Sequence, residues 1–118
     1  MSKNARIATV IALLAMVSAA CSSAAGTDDG AGSERITIQT FQFRPDVLEV
    51  AVGTEVTWTN EDDIGHTATS GAPGSPDGTF DGELDGPGSR FAFTFEDAGV
   101  FAYFCDVHQG MRGEIRVT

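Results

Sequence analysis

The chain has 118 residues, one domain's worth, with 17 acidic against seven basic side chains and a net charge of −10. That balance argues against nucleic acid as a partner, because phosphate contacts need clustered Lys and Arg. Two cysteines, one of them close to the N terminus, leave no disulfide framework for the folded part.

The N terminus reads as a targeting segment. Met1 to Arg6 is polar and carries Lys3 and Arg6, and Ile7 to Ala20 is apolar or small apart from Thr9 and Ser18. A basic start, a short apolar run and small residues at its end are the features of a secretory signal. The run falls short of the roughly 20 apolar residues of a spanning helix, which sets it apart from a permanent anchor. Val17-Ser18-Ala19-Ala20-Cys21 resembles a bacterial lipobox, with Ser18 where Leu is more usual. The resemblance implies a lipoprotein signal peptide at 1–20, cleavage before Cys21 and lipidation of that cysteine. Ordinary cleavage after Ala20 or Ala25 is the alternative. Residues 21–33, rich in Ser, Ala, Gly and Asp, have the composition of a flexible tether. A tether behind an acylated residue would hold a domain on the extracytoplasmic face of the membrane, in the cell envelope. Beyond residue 20 there are five arginines, no lysine and 17 acidic residues, a net charge of −12 with histidine neutral. Solubility accounts for such acidity first, and steering toward a basic partner patch is the sharper alternative.

Residues 34–118 carry the periodicity of strands. Ile36 and Ile38 alternate with polar neighbours, and Phe41-Gln42-Phe43 extends that alternation up to Pro45. Leu48, Val50 and Val52 form a second run ending at Gly53, and Val56 and Trp58 a third ending at Asn60. Glu61 to Gly65 is a polar loop in which Asp62 and Asp63 read as a solvated acidic rim, and Thr67 to Ser70 makes a short strand. Gly71 to Gly88, with Pro73, Pro76, Pro87 and many glycines, predicts a long irregular connection with one short piece of strand near Thr79 to Asp81. Phe91, Phe93 and Phe95 alternate again, then Val100 to Cys105 and Glu114 to Val117 complete the set. Short strands between turn signals predict an all-β, antiparallel Greek-key sandwich or barrel.

The chemistry gathers in Cys105-Asp106-Val107-His108-Gln109-Gly110-Met111. A thiolate, an imidazole and a thioether arrive in one loop, and the chain's other histidine, His66, supplies a second imidazole. Soft sulfur ligands suit Cu(I) and imidazoles suit Cu(II), so the mixed set serves both states, and a His₂Cys plane with a weak Met is the ligand set of electron-transfer copper sites. Zinc binds Cys and His well, but a thioether argues against it. The bland alternatives are a buried Cys105 acting as a small hydrophobe and Met111 as core filler.

With Trp58, Asn60, His66, Tyr103, Phe104, Cys105, His108, Met111 and Gly113 in this order, residues 34–118 resemble a cupredoxin of the plastocyanin, pseudoazurin and amicyanin group. Two residues between Cys105 and His108, and two between His108 and Met111, match the short ligand loop of amicyanins. The resemblance implies about eight strands, one type 1 copper ion at one end, ligation through both Nδ1 atoms, and the His108 ring edge as the electron's exit. Three positions depart from the pattern. Thr67 replaces the Asn that ties the two ligand loops, a tie that a hydroxyl can also make. Asp106 stands where Ser or Thr is common, and an unsolvated carboxylate there would favour Cu(II). Phe101 stands where a corner tyrosine is common.

The function so implied is not enzymatic: one electron shuttled through Cu(I)/Cu(II) between a redox donor and acceptor at the outer membrane surface, by a monomer. Copper storage or delivery is the alternative, and a metal-free interaction module is a weaker one. Copper enzymes need further histidines, which this chain lacks.

Overall fold

A computed structural model describes residues 32–118. The signal segment, Cys21 and nearly all of the tether lie outside the described residues. Nine strands, and no helix, occur among those described: β1 (Ser33–Ile38), β2 (Phe43–Arg44), β3 (Val47–Val50), β4 (Thr54–Asn60), β5 (His66–Ala72), β6 (Ser75–Leu84), β7 (Arg90–Phe95), β8 (Gly99–Phe104) and β9 (Arg112–Val117). They form two sheets, ordered β2-β1-β4-β7 and β3-β9-β8-β5-β6. The all-β sandwich is as anticipated, with one strand more than eight and with mixed rather than wholly antiparallel sheets. β1 runs parallel to β4, and β3 parallel to β9. The chain crosses from the first sheet to the second between β2 and β3, so β3 meets the C-terminal strand rather than its hairpin neighbour.

Alternation buries one side of each sheet. Ile36, Ile38, Val56, Trp58 and Phe95 from the first sheet meet Leu84, Tyr103, Ile115 and Val117 from the second, all nearly inaccessible. An aromatic cluster fills the centre: Trp58 packs on Phe80, Phe91 and Tyr103 at ring separations of 5.3, 5.5 and 5.4 Å. Aromatic pairs at such distances add about 0.5–1.5 kcal/mol each beyond area burial. Tyr103 requires a glycine opposite it: a Cβ on Gly113 would lie 2.3 Å from the Tyr103 ring.

Two further expectations change. Phe41-Gln42-Phe43 does not continue the first strand. Gln39 and Gln42 exchange backbone hydrogen bonds around a turn whose central residues, Thr40 and Phe41, have φ of 57° and 59°. Positive φ at both central residues is what a tight two-residue hairpin of this hand requires, and Asn-Gly is its usual sequence. Nothing in Thr-Phe announces it. The Gly71–Gly88 stretch is not irregular either, because Ser75 to Leu84 pairs with β5 around a bulge between Thr69 and Gly71. Since β6 is an edge strand, Pro76 costs no ladder bond that a central strand would need. Its inward positions are Phe80, Gly82 and Leu84.

Candidate metal centre

The site lies where β4 and β8 end and β5 begins. Along the inward face of β4 come Val56, Trp58 and then, against the apolar trend, Asn60, which is fully buried. Its side-chain amide donates to the Ile64 carbonyl (2.8 Å) and the Leu84 carbonyl (3.0 Å), and its Oδ1 accepts from the Asp62 N–H (2.9 Å). Every polar atom of the amide thus works to shape the 61–65 loop, and that loop delivers His66 to the start of β5. A buried polar group with its partners in place is stable; one without them costs about 1–3 kcal/mol.

His66 is buried, with its Nδ1 3.7 Å from Cys105 Sγ and 3.2 Å from His108 Nδ1. Cys105 Sγ and His108 Nδ1 are 3.9 Å apart. The point equidistant from these three atoms lies in their plane, about 2.1 Å from each, matching metal–nitrogen bonds of about 2.0–2.1 Å and approaching metal–sulfur bonds of about 2.3 Å. Two imidazole nitrogens and a thiolate sulfur spaced around one such point fit a trigonal copper site. His66, Cys105 and His108 are also a group able to hold a metal on ligand-atom spacing alone. In both imidazoles it is Nδ1 that lies nearest Cys105 Sγ and the other ring.

The loop carrying the second histidine is closed by its own backbone. Met111 N–H donates to the His108 carbonyl (2.8 Å), and Cys105 N–H to the Met111 carbonyl (3.1 Å). Met111 is buried beside the core, at the end of this loop. Thr67 joins the two halves of the site. Its N–H donates to Cys105 Sγ (3.4 Å), and its hydroxyl oxygen accepts from the Asp106 N–H (2.8 Å). Thr69 donates to Asp81 Oδ1 (2.9 Å), so the 2.8 Å contact between the two threonine hydroxyls is a donation from Thr67. The chain Asp106 N–H to Thr67 to Thr69 to Asp81 therefore runs in one direction and ends on a carboxylate. A hydroxyl does replace the missing amide tie. The Asp106 carboxylate itself is exposed, and water screens its charge.

Asp62 is not a solvated rim. Its Oδ1 accepts from the Thr40 N–H (2.7 Å), and its Oδ2 accepts from the Phe41 N–H (2.9 Å) and faces His66 Nε2 at 2.9 Å. Partial burial pushes this carboxyl up, but the Phe41 and Thr40 N–H bonds and the His66 ring together outweigh it and hold the group below the ordinary carboxylate value. Phe41 packs its ring edge-on against both imidazoles, 5.3 Å from His66 and 5.0 Å from His108. Asn60, Asp62 and Phe41 are the site residues that sequence reasoning assigned no role. The one available signal was Asn60, a polar residue at an inward position of an otherwise apolar strand.

The profile of the family described as copper binding proteins, plastocyanin/azurin family, matches residues 31–118. A chloroplast plastocyanin of Tetradesmus obliquus is 30% identical over 82% of this chain and 65% of its own length, just under two thirds of that relative. Among solved structures, a purple cupredoxin from Nitrosopumilus maritimus superposes with a TM-score of 0.65 at 33% identity, covering 71% of this chain and 98% of that one. An amicyanin variant in its reduced Cu(I) form superposes with a TM-score of 0.63 at 29% identity, covering 78% of this chain and 86% of that one.

Proposed function

The chain belongs to the plastocyanin/azurin family of copper-binding proteins, and from that premise we propose that it carries single electrons between redox proteins at the outer membrane surface. The reading rests on the 3.2, 3.7 and 3.9 Å triangle of His66 Nδ1, His108 Nδ1 and Cys105 Sγ. We assign His66, Cys105 and His108 as the copper ligands, with Met111 the weak fourth. Copper, when bound, supplies the Cu(I)/Cu(II) couple. The protein's part is to hold its ligands in one arrangement for both states, so that little moves when the electron does. Buried strand ends and the backbone-closed loop meet that need. No substrate site is required, and both histidines of the chain are used in one place.

His108 is the half-buried member of the set, and it is the exit we assign to the electron. Around it lie exposed apolar side chains: Phe41 (49% exposed), Ile64 (43%) and Val107 (59%). Glu61, Asp63, Glu83, Asp85 and Asp106, all exposed, lie near this patch in sequence or line its hollow. An apolar centre with an acidic surround fits a partner that presents an apolar patch ringed by Lys or Arg, and the charges would raise the encounter rate. The domain (34–118), on its tether (21–33) from lipidated Cys21 after removal of residues 1–20, would meet such partners as a monomer at the membrane.

The deciding experiment is the visible and electron spin resonance spectrum of the Cu(II)-loaded protein. Intense absorption with narrow copper hyperfine splitting supports the reading. A pale, ordinary Cu(II) spectrum removes Cys105 from the ligand set and puts copper storage or delivery first. Mass spectrometry of the N terminus from native membranes tests the anchor: an unmodified mature N terminus would sink it.

A further inference from the structure

Three N–H donors converge on the one carboxylate of Asp62: those of Thr40, Phe41 and His66 Nε2. Each carboxylate oxygen already accepts a backbone N–H, and a carboxylate has no proton to offer. The 2.9 Å contact at Oδ2 is therefore a donation from the ring, with the neutral imidazole proton on Nε2. That leaves the Nδ1 lone pair free, and Nδ1 is the atom facing Cys105 Sγ and His108 Nδ1. A histidine's second nitrogen decides in this way which nitrogen is available to a metal.

The same carboxylate holds a second element. Thr40 and Phe41 sit in the left-handed region, φ 57° and 59°, at a cost of about 1–2 kcal/mol per non-glycine residue. Both of their N–H groups point at Asp62, so the carboxylate offsets that cost at its source. The turn so held sets the Phe41 ring edge-on to both His66 and His108. His108 belongs to a different loop and receives no hydrogen bond from Asp62. Apart from the adjoining His66 ring, the Phe41 turn is what connects its ring to Asp62.

We propose that Asp62 is a positioning residue for both copper-binding imidazoles, setting the proton of His66 directly and the ring of His108 through the Thr40–Phe41 turn. The inference rests on the copper-site reading above and adds to it a residue that touches no metal. It also gives a reason for the Thr-Phe sequence in a turn that favours Asn-Gly: the ring is needed more than the easy backbone.

The test uses the full chain, metal-free and copper-loaded, as wild type, Asp62→Asn, Phe41→Ala and Phe41→Leu. In the metal-free wild type, with neutral rings identified by their ¹⁵N shifts, His66 carries its proton on Nε2. A proton on Nδ1 overturns the proposal without any variant. In Asp62→Asn the amide has one acceptor oxygen for three donors, and its NH₂ faces N–H groups. His66 then shifts toward the Nδ1–H form, exchange of the Thr40 and Phe41 amides speeds up at least about tenfold, and copper affinity falls about 10–100-fold. Phe41→Ala leaves the His66 proton on Nε2 but broadens or moves the His108 ring signals, and Phe41→Leu restores part of the loss. Wild-type affinity and an unchanged tautomer in Asp62→Asn overturn the proposal. So does an altered His66 with unaltered Thr40 and Phe41 exchange, because the second arm then does not exist. A wild type that lacks the intense thiolate-to-copper band instead refutes the electron-transfer reading, and the metal-free readouts distinguish that failure from this one.

Discussion

The two arms of the site are built differently. His66 opens a strand of the sheet, is buried, donates to Asp62, and sits behind a loop whose shape is set by the fully buried Asn60. His108 sits in a loop between β8 and β9, partly exposed, held by the loop's own Met111-to-His108 bond and by the Phe41 ring. One arm is a buried strand end braced by a loop that a buried side chain shapes, and the other is a partly exposed loop held mostly by its own backbone. On the electron-transfer reading proposed above, the contrast suits a carrier: a ligand packed from all sides would keep the geometry constant, while a ligand at the surface would bring the electron within reach of a partner.

The sharpest way to break this comparison is to remove each imidazole and offer it back. His66→Gly and His108→Gly should both abolish the intense absorption. Added imidazole should restore it in His108→Gly, whose gap opens to solvent, and not in His66→Gly, whose gap is sealed. Equal rescue of the two would erase the distinction between the arms. Next in size is Gly113→Ala, at the root of the loop arm. The new Cβ meets the buried Tyr103 ring at 2.3 Å, and the overpacking should lower stability by about 2–3 kcal/mol, read by denaturant titration. The His66 tautomer should stay as in wild type, since nothing in that arm is touched.

A smaller effect is expected where the arms are tied. Thr67→Val keeps the shape but removes the acceptor for the Asp106 N–H and the first link of the chain to Asp81. Stability should fall by about 1 kcal/mol, and copper affinity about tenfold, the low end of what supporting groups contribute. Affinity equal to wild type would mean that the arms are independent.

The smallest effect belongs to the core behind both arms. The Trp58 indole N–H and the Tyr103 hydroxyl are buried with no hydrogen-bond partner; their rings pack edge-on at 5.4 Å without a well-formed bond. Tyr103→Phe should therefore leave stability at neutral pH unchanged or raise it by up to about 1 kcal/mol. At high pH the sign is clearer. Burial pushes the Tyr103 phenol well above the usual 10.0, so the unfolded chain ionises first. The stability held by the neutral phenol is complete below that value and is lost as pH rises above it. Wild type should weaken there, and Tyr103→Phe should lose less, as followed by circular dichroism.

Much of this molecule can be read from local pattern. The alternations at Ile36/Ile38, Val56/Trp58 and Phe91/Phe93/Phe95 became strands because each pattern needs only a buried face, whatever lies across from it. The ligand loop was legible for a similar reason: Cys105, His108 and Met111 are close in sequence, and their donor atoms are uncommon outside metal sites. The β6 strand was hidden because its glycines and prolines argue against a strand, and pairing with β5 at a sheet edge overrules them. The Thr40–Phe41 turn was hidden because its stabilising carboxylate is 21 residues or more away. Asp62 looked like one more surface acid in a chain that has 17 acidic residues.

The sequence by itself therefore determined the fold class, the core faces, the copper chemistry of the donor set and the loop that brings three of the donors together. These follow from side-chain period and from the softness and spacing of ligands, which are local properties. Tertiary structure alone decided which sheet edge each strand takes, that two pairings run parallel, and that Thr67 ties the ligand loops. It alone decided, too, that Asp62 links a strained turn to a ligand. Hydrogen bonds reach only about 3 Å, so partners distant in sequence are identified only when the folded chain brings them to that range.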